Sequence, residues 1–341
     1  MNPLVAADQA HLHRNRGDTP AARLFLFAQL VFFSALVFLI FFFRHTPWFD
    51  TLSITFVSIF LEALPFMLLG AFIGGFIEVF VSKTMITRII PAGILPSILL
   101  TAGLGLVFPV CECAIVPVVR RLFSKGLPLG AGIAFLLGGP IVNPLVALST
   151  AVAYGNDLVI AASRLASGYL IAVAMGLIIE RFFSRKTALA ELPIDESGEA
   201  DASLPVSAKI SRALRHGASD FIDIGRFLVF GAFVAGALQT LVARGDLAVW
   251  FGSLPFSVLA MMVLALLLSL CSEADAFVAA SFRTTLPLTA QMAFMVLGPM
   301  LDLKLIAMYF RIFRKRLILV MSVSTFIIVF VGMMAGSWMV R

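Results

Sequence analysis

Apolar segments of about 20 residues recur along the chain, and most are long enough to cross the hydrocarbon core of a bilayer as a helix. Short polar stretches that carry Lys and Arg separate them. The segments cover residues 24–43, 52–81, 95–110, 127–153, 158–183, 221–242, 249–270, 286–310 and 317–340. This pattern predicts an all-α polytopic membrane protein and leaves no room for a soluble catalytic domain.

The composition agrees with this prediction. Hydrophobic residues make up 61% of the chain and charged residues 13%, with a mean hydropathy of +1.04, outside the range of soluble domains. The net charge of +6 comes from Lys and Arg at the ends of apolar spans, which is the pattern that sets membrane topology. We therefore expect contact with membrane lipid and no nucleic-acid partner.

The second half of the chain repeats the first at an offset of about 160 residues, as expected for a duplicated transporter. Residues 65–72 match 226–233, Cys111 matches Cys271, 127–129 match 286–288, and 139–143 match 298–302. The predicted organisation is a cytoplasmic tail (1–23), a leading transmembrane helix (24–44), repeat 1 (51–183), a polar cytoplasmic linker (184–219) and repeat 2 (220–341).

The basic residues predict the orientation of the repeats. If the segment around Cys111 enters the membrane and returns, as a re-entrant hairpin or as two short spans, the basic clusters all lie in the cytoplasm. A single crossing would break this rule. The clusters are Lys83 and Arg88, Arg120 to Lys125, Arg181 to Lys186, and Arg311 to Arg316. Counting the membrane crossings onward in this way gives the two repeats opposite orientations. We therefore predict inverted repeats with broken or re-entrant helices.

The first candidate site is the sequence P-V-C-E-C around Cys111, Glu112 and Cys113, between Pro109 and Pro117. Both prolines lack a backbone donor, so we expect the helix to break on either side. A carboxylate inside a membrane segment normally faces a cavity or a partner. The alternative is that the two cysteines are small buried packing residues.

Cys271, Glu273 and Asp275 form the counterpart in repeat 2. With Cys111 and Cys113, the third thiol suggests a tentative soft-metal site for trivalent arsenic, Zn(II) or Cu(I), because sulfur ligands select such ions. The alternative is that Glu273 and Asp275 bond to backbone amides that the hairpin leaves free.

A helix break also follows each candidate site. Gly139 and Pro140 precede Asn143, and Gly298 and Pro299 precede Asp302. Glycine and proline interrupt helices, so Asn143 and Asp302 are expected to line a pathway or to cap a kink. The sequence has no phosphate-binding Gly-x-x-x-x-Gly-Lys-[Ser/Thr] loop, so we expect a secondary transporter without a cofactor. Glu62 is a candidate for proton coupling.

The chain resembles the predicted permeases of the YraQ and ArsP type. The resemblance lies in four motifs in order, F-P-V-C-E-C-A-I-V-P (108–117), G-G-P-I-V-N-P (138–144), C-S-E-A-D-A-F (271–277) and G-P-M-L-D (298–302). The C-E-C and C-S-E-A-D-A-F spellings are similar to the YcgR-like branch. Members resembling ArsP export trivalent organoarsenicals through membrane cysteines, which implies Cys111, Cys113 and Cys271 as ligands. The branch with Glu112 implies a second membrane subunit and leaves the substrate open.

These observations predict a multi-pass permease of the bacterial inner membrane that moves a small molecule or ion, rather than an enzyme. The predicted binding site joins Cys111, Glu112, Cys113 and Asn143 to Cys271, Glu273, Asp275 and Asp302. Two alternatives stay open. One is a transmembrane thiol–disulfide relay in which Cys113 and Cys271 exchange electrons. The other is a membrane subunit that supports a partner in a two-component complex with an organic substrate.

Overall fold

The computed structural model describes residues 47–91, 93–108, 111–190, 206–241 and 253–339. The predicted tail and leading helix (1–44) and Pro109 lie outside these residues. The chain divides into two compact units, Met1–Ile54 and Thr55–Arg341. Of the first unit, the described residues include only the start of one long helix.

The described residues form helices, with one isolated β-bridge between Leu189 and Phe313. The helices of the first half are α1 (Pro47–Phe80), α2 (Lys83–Ile89), α3 (Ile94–Ala102), a 3₁₀ turn (Leu104–Leu106), α4 (Glu112–Ser124), α5 (Leu129–Gly138), α6 (Pro144–Ala153), α7 (Leu158–Phe182) and α8 (Arg185–Ala188). Those of the second half are α9 (Val206–Leu241), α10 (Leu254–Leu268), α11 (Ala274–Ala280), α12 (Leu288–Leu297), α13 (Leu303–Tyr309) and α14 (Lys315–Met339).

Four of the described helices, α1, α7, α9 and α14, are long and apolar enough to cross a membrane. Each half begins and ends with one of them and carries shorter helices between. The core packing also repeats, because α3, α5 and α7 pack together in the first half as α10, α12 and α14 do in the second. The protein is therefore an all-α polytopic membrane protein built from two similar halves.

The short helices α3 and α4 form a hairpin. One cavity of about 400 Å³ is lined by Ile94 at the start of α3, Gly126 after the end of α4, and Glu180 near the end of α7. The chain therefore enters along α3 and returns along α4 to the same end of the bundle.

Helix α7 shows that the two halves run in opposite directions. Arg185, just after α7, donates a hydrogen bond to the carbonyl of Phe123 in the last turn of α4. Arg283, after α11, lies 5.3 Å from the ring centre of Tyr154, just before α7 begins. The 25 residues of α7 span about 37 Å. Since the equivalent helices α4 and α11 lead toward opposite ends of α7, the repeats are inverted.

Helix α9 begins at Val206, inside the range expected to be a polar linker. The reason is close packing against α1. A Cβ at Gly75 of α1 would lie 2.3 Å from the carbonyl oxygen of Ala213 in α9. A Cβ at Gly217 of α9 would lie 2.9 Å from the ring of Phe72 in α1. Small residues therefore bring the two helices into contact and extend α9 beyond its apolar span.

Candidate functional site

The two repeats meet where α4 begins and where the segment before α11 unwinds. Cys111 is the extended N-cap of α4, and Glu112 is its first residue. The Oε2 atom of Glu112 lies 3.4 Å from Oγ of Ser272, its equivalent in the second repeat. Both side chains are buried. The pseudo-two-fold axis therefore passes close to a carboxylate.

Lys304 of α13 neutralises this carboxylate. Its ammonium donates to Glu112 Oε1 at 3.0 Å and to the carbonyls of Ser269 and Leu270 at 2.9 and 3.3 Å. Only 2% of Lys304 and 1% of Glu112 are exposed. Burial of two charges is tolerated when they are paired and hydrogen-bonded, as these are.

Asn143 and Asp302 occupy equivalent positions as N-caps of α6 and α13. Asn143 Oδ1 accepts from the Leu145 amide at 2.9 Å, and Asp302 Oδ1 accepts from the Leu305 amide at 2.6 Å. The other side-chain atoms, Asn143 Nδ2 and Asp302 Oδ2, are buried without a hydrogen-bond partner. Asp302 Oδ2 lies 3.5 Å from the Lys304 ammonium. Both residues therefore cap a helix with one atom and leave a polar atom unused.

A second buried basic group, Arg164 of α7, ties together the segments around the site. It donates to Thr150 Oγ1 at 2.8 Å, to the carbonyl of Ser272 at 2.8 Å and to the carbonyl of Met295 at 3.2 Å. Its guanidinium also lies 3.9 Å from Asp275 Oδ2. Arg164 is fully buried, so it fixes the unwound segment before α11 in place.

The three cysteines differ in burial. Cys111 and Cys113 are buried, whereas Cys271 is half-buried. All three thiols are free. Within the described residues, no three Cys, His, Asp or Glu side chains are arranged to hold a metal ion. The tentative metal site of Cys111, Cys113 and Cys271 stays a prediction.

The structure corrects one of the predicted helix breaks. Pro117 lies inside α4, which continues to Ser124, so the break expected there is absent. Proline in a helix interior forfeits one hydrogen bond, and here burial of the surrounding turns offsets that loss. Cys113 lies inside this helix, whereas Cys111, the N-cap, has an extended backbone.

The chain is interrupted at the two Gly-Pro pairs. Helix α5 ends at Gly138 and α6 begins at Pro144, so Gly139 and Pro140 lie between them. Gly298 and Pro299 lie between α12 and α13 in the same way. A Cβ at Gly298 would lie 2.6 Å from Asp275 Oδ2, so the missing side chain lets this carboxylate approach the break.

The remaining predicted residue, Glu273, occupies the N-cap position of the short helix α11 and has a helical backbone. It lies at the edge of the site. Its Oε2 atom is 3.4 Å from Ser272 Oγ. No hydrogen bond joins its side chain to the first amides of α11.

An ion-pair network lies at the end of the bundle where α4 finishes. Arg120 and Arg121 bind the two carboxylate oxygens of Asp220 at 2.8 and 2.5 Å. Glu78 of α1 lies 3.2 Å from Arg121, and Asp223 of α9 lies 2.7 Å from Arg311. Two of the basic clusters that the topology argument assigned to one side, Arg120 to Lys125 and Arg311 to Arg316, are thus connected through Asp223.

Sequence reasoning missed Arg164 and Ser272 as parts of the site. Arg164 could have been found, because a basic residue within the apolar span 158–183 is costly unless it has a buried partner. Nothing in the pattern around Ser272 marks it. Its importance follows from its equivalence to Glu112 and its contact with that carboxylate.

The chain belongs to the ArsP family of predicted permeases, whose model matches residues 49–337. It is 40% identical over 291 residues to the UPF0718 protein YcgR of Bacillus subtilis, covering 85% of this chain and 97% of that protein. It is 36% identical over 287 residues to a Streptococcus mutans protein named "Putative two-component membrane permease complex subunit", covering 82% of this chain and 93% of that protein. The UPF0718 protein YraQ of Escherichia coli is 24% identical over 151 residues, which cover 44% of this chain and 42% of that protein. No solved structure matches the chain.

Proposed function

We propose that this chain is a secondary permease of the bacterial inner membrane and that its small substrate crosses at the centre where the two repeats touch. The observation that carries the proposal is the Glu112–Lys304 pair, buried between helices of oppositely directed repeats. In transporters with inverted repeats, binding sites lie at the repeat interface near the membrane midplane, and discontinuous helices supply the ligands.

The substrate site comprises the residues predicted from the sequence, in two groups. Glu112, Cys113, Asn143, Asp275 and Asp302 are buried and would offer carboxylate, amide and thiol groups to a guest. Cys111, Cys271 and Glu273 lie beside them along the unwound segments. Lys304 and Arg164 hold the carboxylates in place and set the charge of the site.

The ion pairs at the end of α4 close one side of the pathway in this conformation. Arg120 and Arg121 of the first repeat hold Asp220 of the second, and all three side chains are largely buried. The positive-inside rule makes this end cytoplasmic. Transport would then proceed by rocking of the repeats, which must separate these pairs to open the cytoplasmic side.

The substrate class is argued from the thiols and acids. Cys111, Cys113 and Cys271 favour a soft metal, metalloid or organoarsenical-like substrate, which would bring the thiols together in another conformation of the cycle. The buried carboxylates supply groups for coupling to a proton or ion gradient.

The Streptococcus mutans relative supports a further element of the proposal. That protein is named as one subunit of a two-component membrane permease complex. We therefore extend to this chain the proposal that a second membrane subunit joins it in the working transporter.

Alternating access can be tested without knowing the substrate. In a Cys111→Ser/Cys113→Ser variant, Cys271 is the remaining thiol. A membrane-impermeant maleimide should label it in both right-side-out and inside-out vesicles, because the central site opens to each side in turn. The same variant carrying Cys271→Ser gives the background. Labelling from one side only, with full reaction after denaturation, would contradict alternating access.

The substrate class needs a separate measurement. Efflux of arsenite, methylarsonous acid, Zn(II) and Cu(I) from loaded proteoliposomes should be compared between the wild type and a Cys111→Ser/Cys113→Ser/Cys271→Ser variant. Equal fluxes for every soft species would remove the thiols from the binding site and leave an organic substrate as the alternative.

A further inference from the structure

The ammonium of Lys304 occupies a position that has the ligands of a cation site. Four oxygen atoms surround it, namely Glu112 Oε1 at 3.0 Å, the Ser269 carbonyl at 2.9 Å, the Leu270 carbonyl at 3.3 Å and Asp302 Oδ2 at 3.5 Å. They come from three separate parts of the chain, α4, the end of α10 and the start of α13. Carboxylate and carbonyl oxygens are the ligands that hard cations prefer.

The two carbonyls are available because α10 ends abruptly. Its C-cap, Ser269, has a left-handed backbone with φ 47°, which turns the chain out of the helix. The last carbonyls of a helix have no partner within the helix and carry partial negative charge. In membrane transporters, such half-helix ends and unwound carbonyls coordinate coupling cations.

A second observation also indicates a site for a positive charge. Asp302 is fully buried, and its Oδ2 atom has no hydrogen-bond partner although it faces the ammonium at 3.5 Å. Asp275 Oδ2 likewise has no hydrogen-bond partner and faces Arg164 at 3.9 Å. The centre thus holds three carboxylates (Glu112, Asp275 and Asp302) and two basic groups (Lys304 and Arg164). One basic group fewer would leave a large excess of buried negative charge.

We propose that this is a monovalent cation site that the protein fills with its own lysine. The tethered ammonium takes the place of a free alkali cation, so the wild type needs none to hold the carboxylates and the α10 end together. Removing the ammonium should open the site to Na⁺ or K⁺, whose single charge replaces the one lost. The inference also bears on the coupling ion, because a site filled by Lys304 leaves no role for free Na⁺ in the transport cycle of the wild type. In this respect it rests on the proposed permease function.

The test uses a Lys304→Met variant of the full chain, which keeps the length of the side chain and removes the charge. Unfolding of the purified protein in detergent is followed by intrinsic fluorescence in choline chloride, LiCl, NaCl and KCl at one ionic strength. We expect the melting temperature of the variant to rise by several degrees in NaCl or KCl, saturably at millimolar concentration. Wild type and Lys315→Met, which removes an exposed lysine at the start of α14, should show no such dependence.

A second variant covers the case in which Lys304→Met does not fold. In Glu112→Gln/Lys304→Met the buried pair is replaced by two neutral side chains, while Asp302 and both carbonyls remain. Its melting temperature should rise in the same alkali-metal salts as that of Lys304→Met, but by fewer degrees. Melting temperatures of every recovered variant that are independent of the alkali cation would overturn the proposal.

Failure of this inference can be told apart from failure of the permease proposal. Cation-dependent melting requires binding but no transport, whereas two-sided labelling of Cys271 requires alternating access but no cation site. In a Lys304→Met variant that retains Cys271 as its remaining thiol, the labelling rate should also become dependent on Na⁺ or K⁺.

Discussion

Glu112 Oε2 and Ser272 Oγ, from equivalent positions of the two repeats, lie 3.4 Å apart at the start of α4 and the unwound segment before α11. Duplication placed a carboxylate on one side of the pseudo-two-fold axis and a hydroxyl on the other. The central charge is therefore asymmetric, and Lys304 of the second repeat balances it.

The Glu112–Lys304 pair should show strong coupling in a double-mutant cycle. Lys304→Met leaves the buried Glu112 carboxylate unpaired, which costs about 3–5 kcal/mol. Glu112→Gln should cost less, because the ammonium keeps Asp302 and two carbonyls as partners. The double variant removes both charges and should be less destabilised than the sum of the single variants by at least about 2 kcal/mol. Melting temperatures in choline buffer measure this, and additive effects would show that the two groups do not interact.

Arg164 should be indispensable for the segment before α11. Arg164→Met removes three hydrogen bonds and leaves the buried carbonyls of Ser272 and Met295 without donors, at about 1–3 kcal/mol for each unsatisfied group. Arg164→Lys should recover part of this stability, because it keeps the charge but not the forked geometry.

The control for Arg164 is Arg181→Met, on the exposed face of the same helix, which should change stability by less than about 0.5 kcal/mol. Thermal unfolding and the rate of maleimide labelling at Cys271 are the two readouts. Equal effects of Arg164→Met and Arg181→Met would contradict the positioning role.

Gly298 should not tolerate even a methyl group. A Cβ there would lie 2.6 Å from Asp275 Oδ2, and that carboxylate is buried. We expect Gly298→Ala to destabilise the protein by about 1–3 kcal/mol through overpacking. Gly332→Ala in α14 is the matched control, since nothing lies within 4 Å of its Cβ position. That change should be neutral or stabilise by up to about 1 kcal/mol, because alanine favours helix over glycine.

The two acids of the ion-pair network should differ in their contributions. Asp220→Asn weakens the pairing of two largely buried arginines and should cost about 3–5 kcal/mol. Asp223→Asn affects a pair whose side chains are 19% and 31% exposed, so solvent screening should limit its effect to about 1 kcal/mol or less.

If the network closes the cytoplasmic side, Asp220→Asn should also raise the rate at which Cys271 is labelled in inside-out vesicles. Asp223→Asn serves as the internal comparison. A slower rate in Asp220→Asn, or equal rates in the two variants, would argue against a closing role.

The sequence by itself determined the membrane class, the repeat and the sites of the Gly-Pro interruptions. These are local or statistical properties. A bilayer requires about 20 apolar residues for each spanning helix, and proline lacks the backbone donor that a helix needs wherever it stands. The four long apolar helices overlap the segments that this pattern marks, although α9 starts well before its apolar span. The breaks between α5 and α6 and between α12 and α13 lie within these segments.

The tertiary structure alone decided which charges meet. Glu112 and Lys304 are 192 residues apart, and Arg164 lies 108 residues from the carbonyl it holds, so no local pattern relates them. It also decided that α4 continues through Pro117, because buried packing around a helix can outweigh one missing hydrogen bond. The cost of an unpaired charge in the interior depends on every neighbour that folding brings to it, and those neighbours are known only once both repeats are assembled.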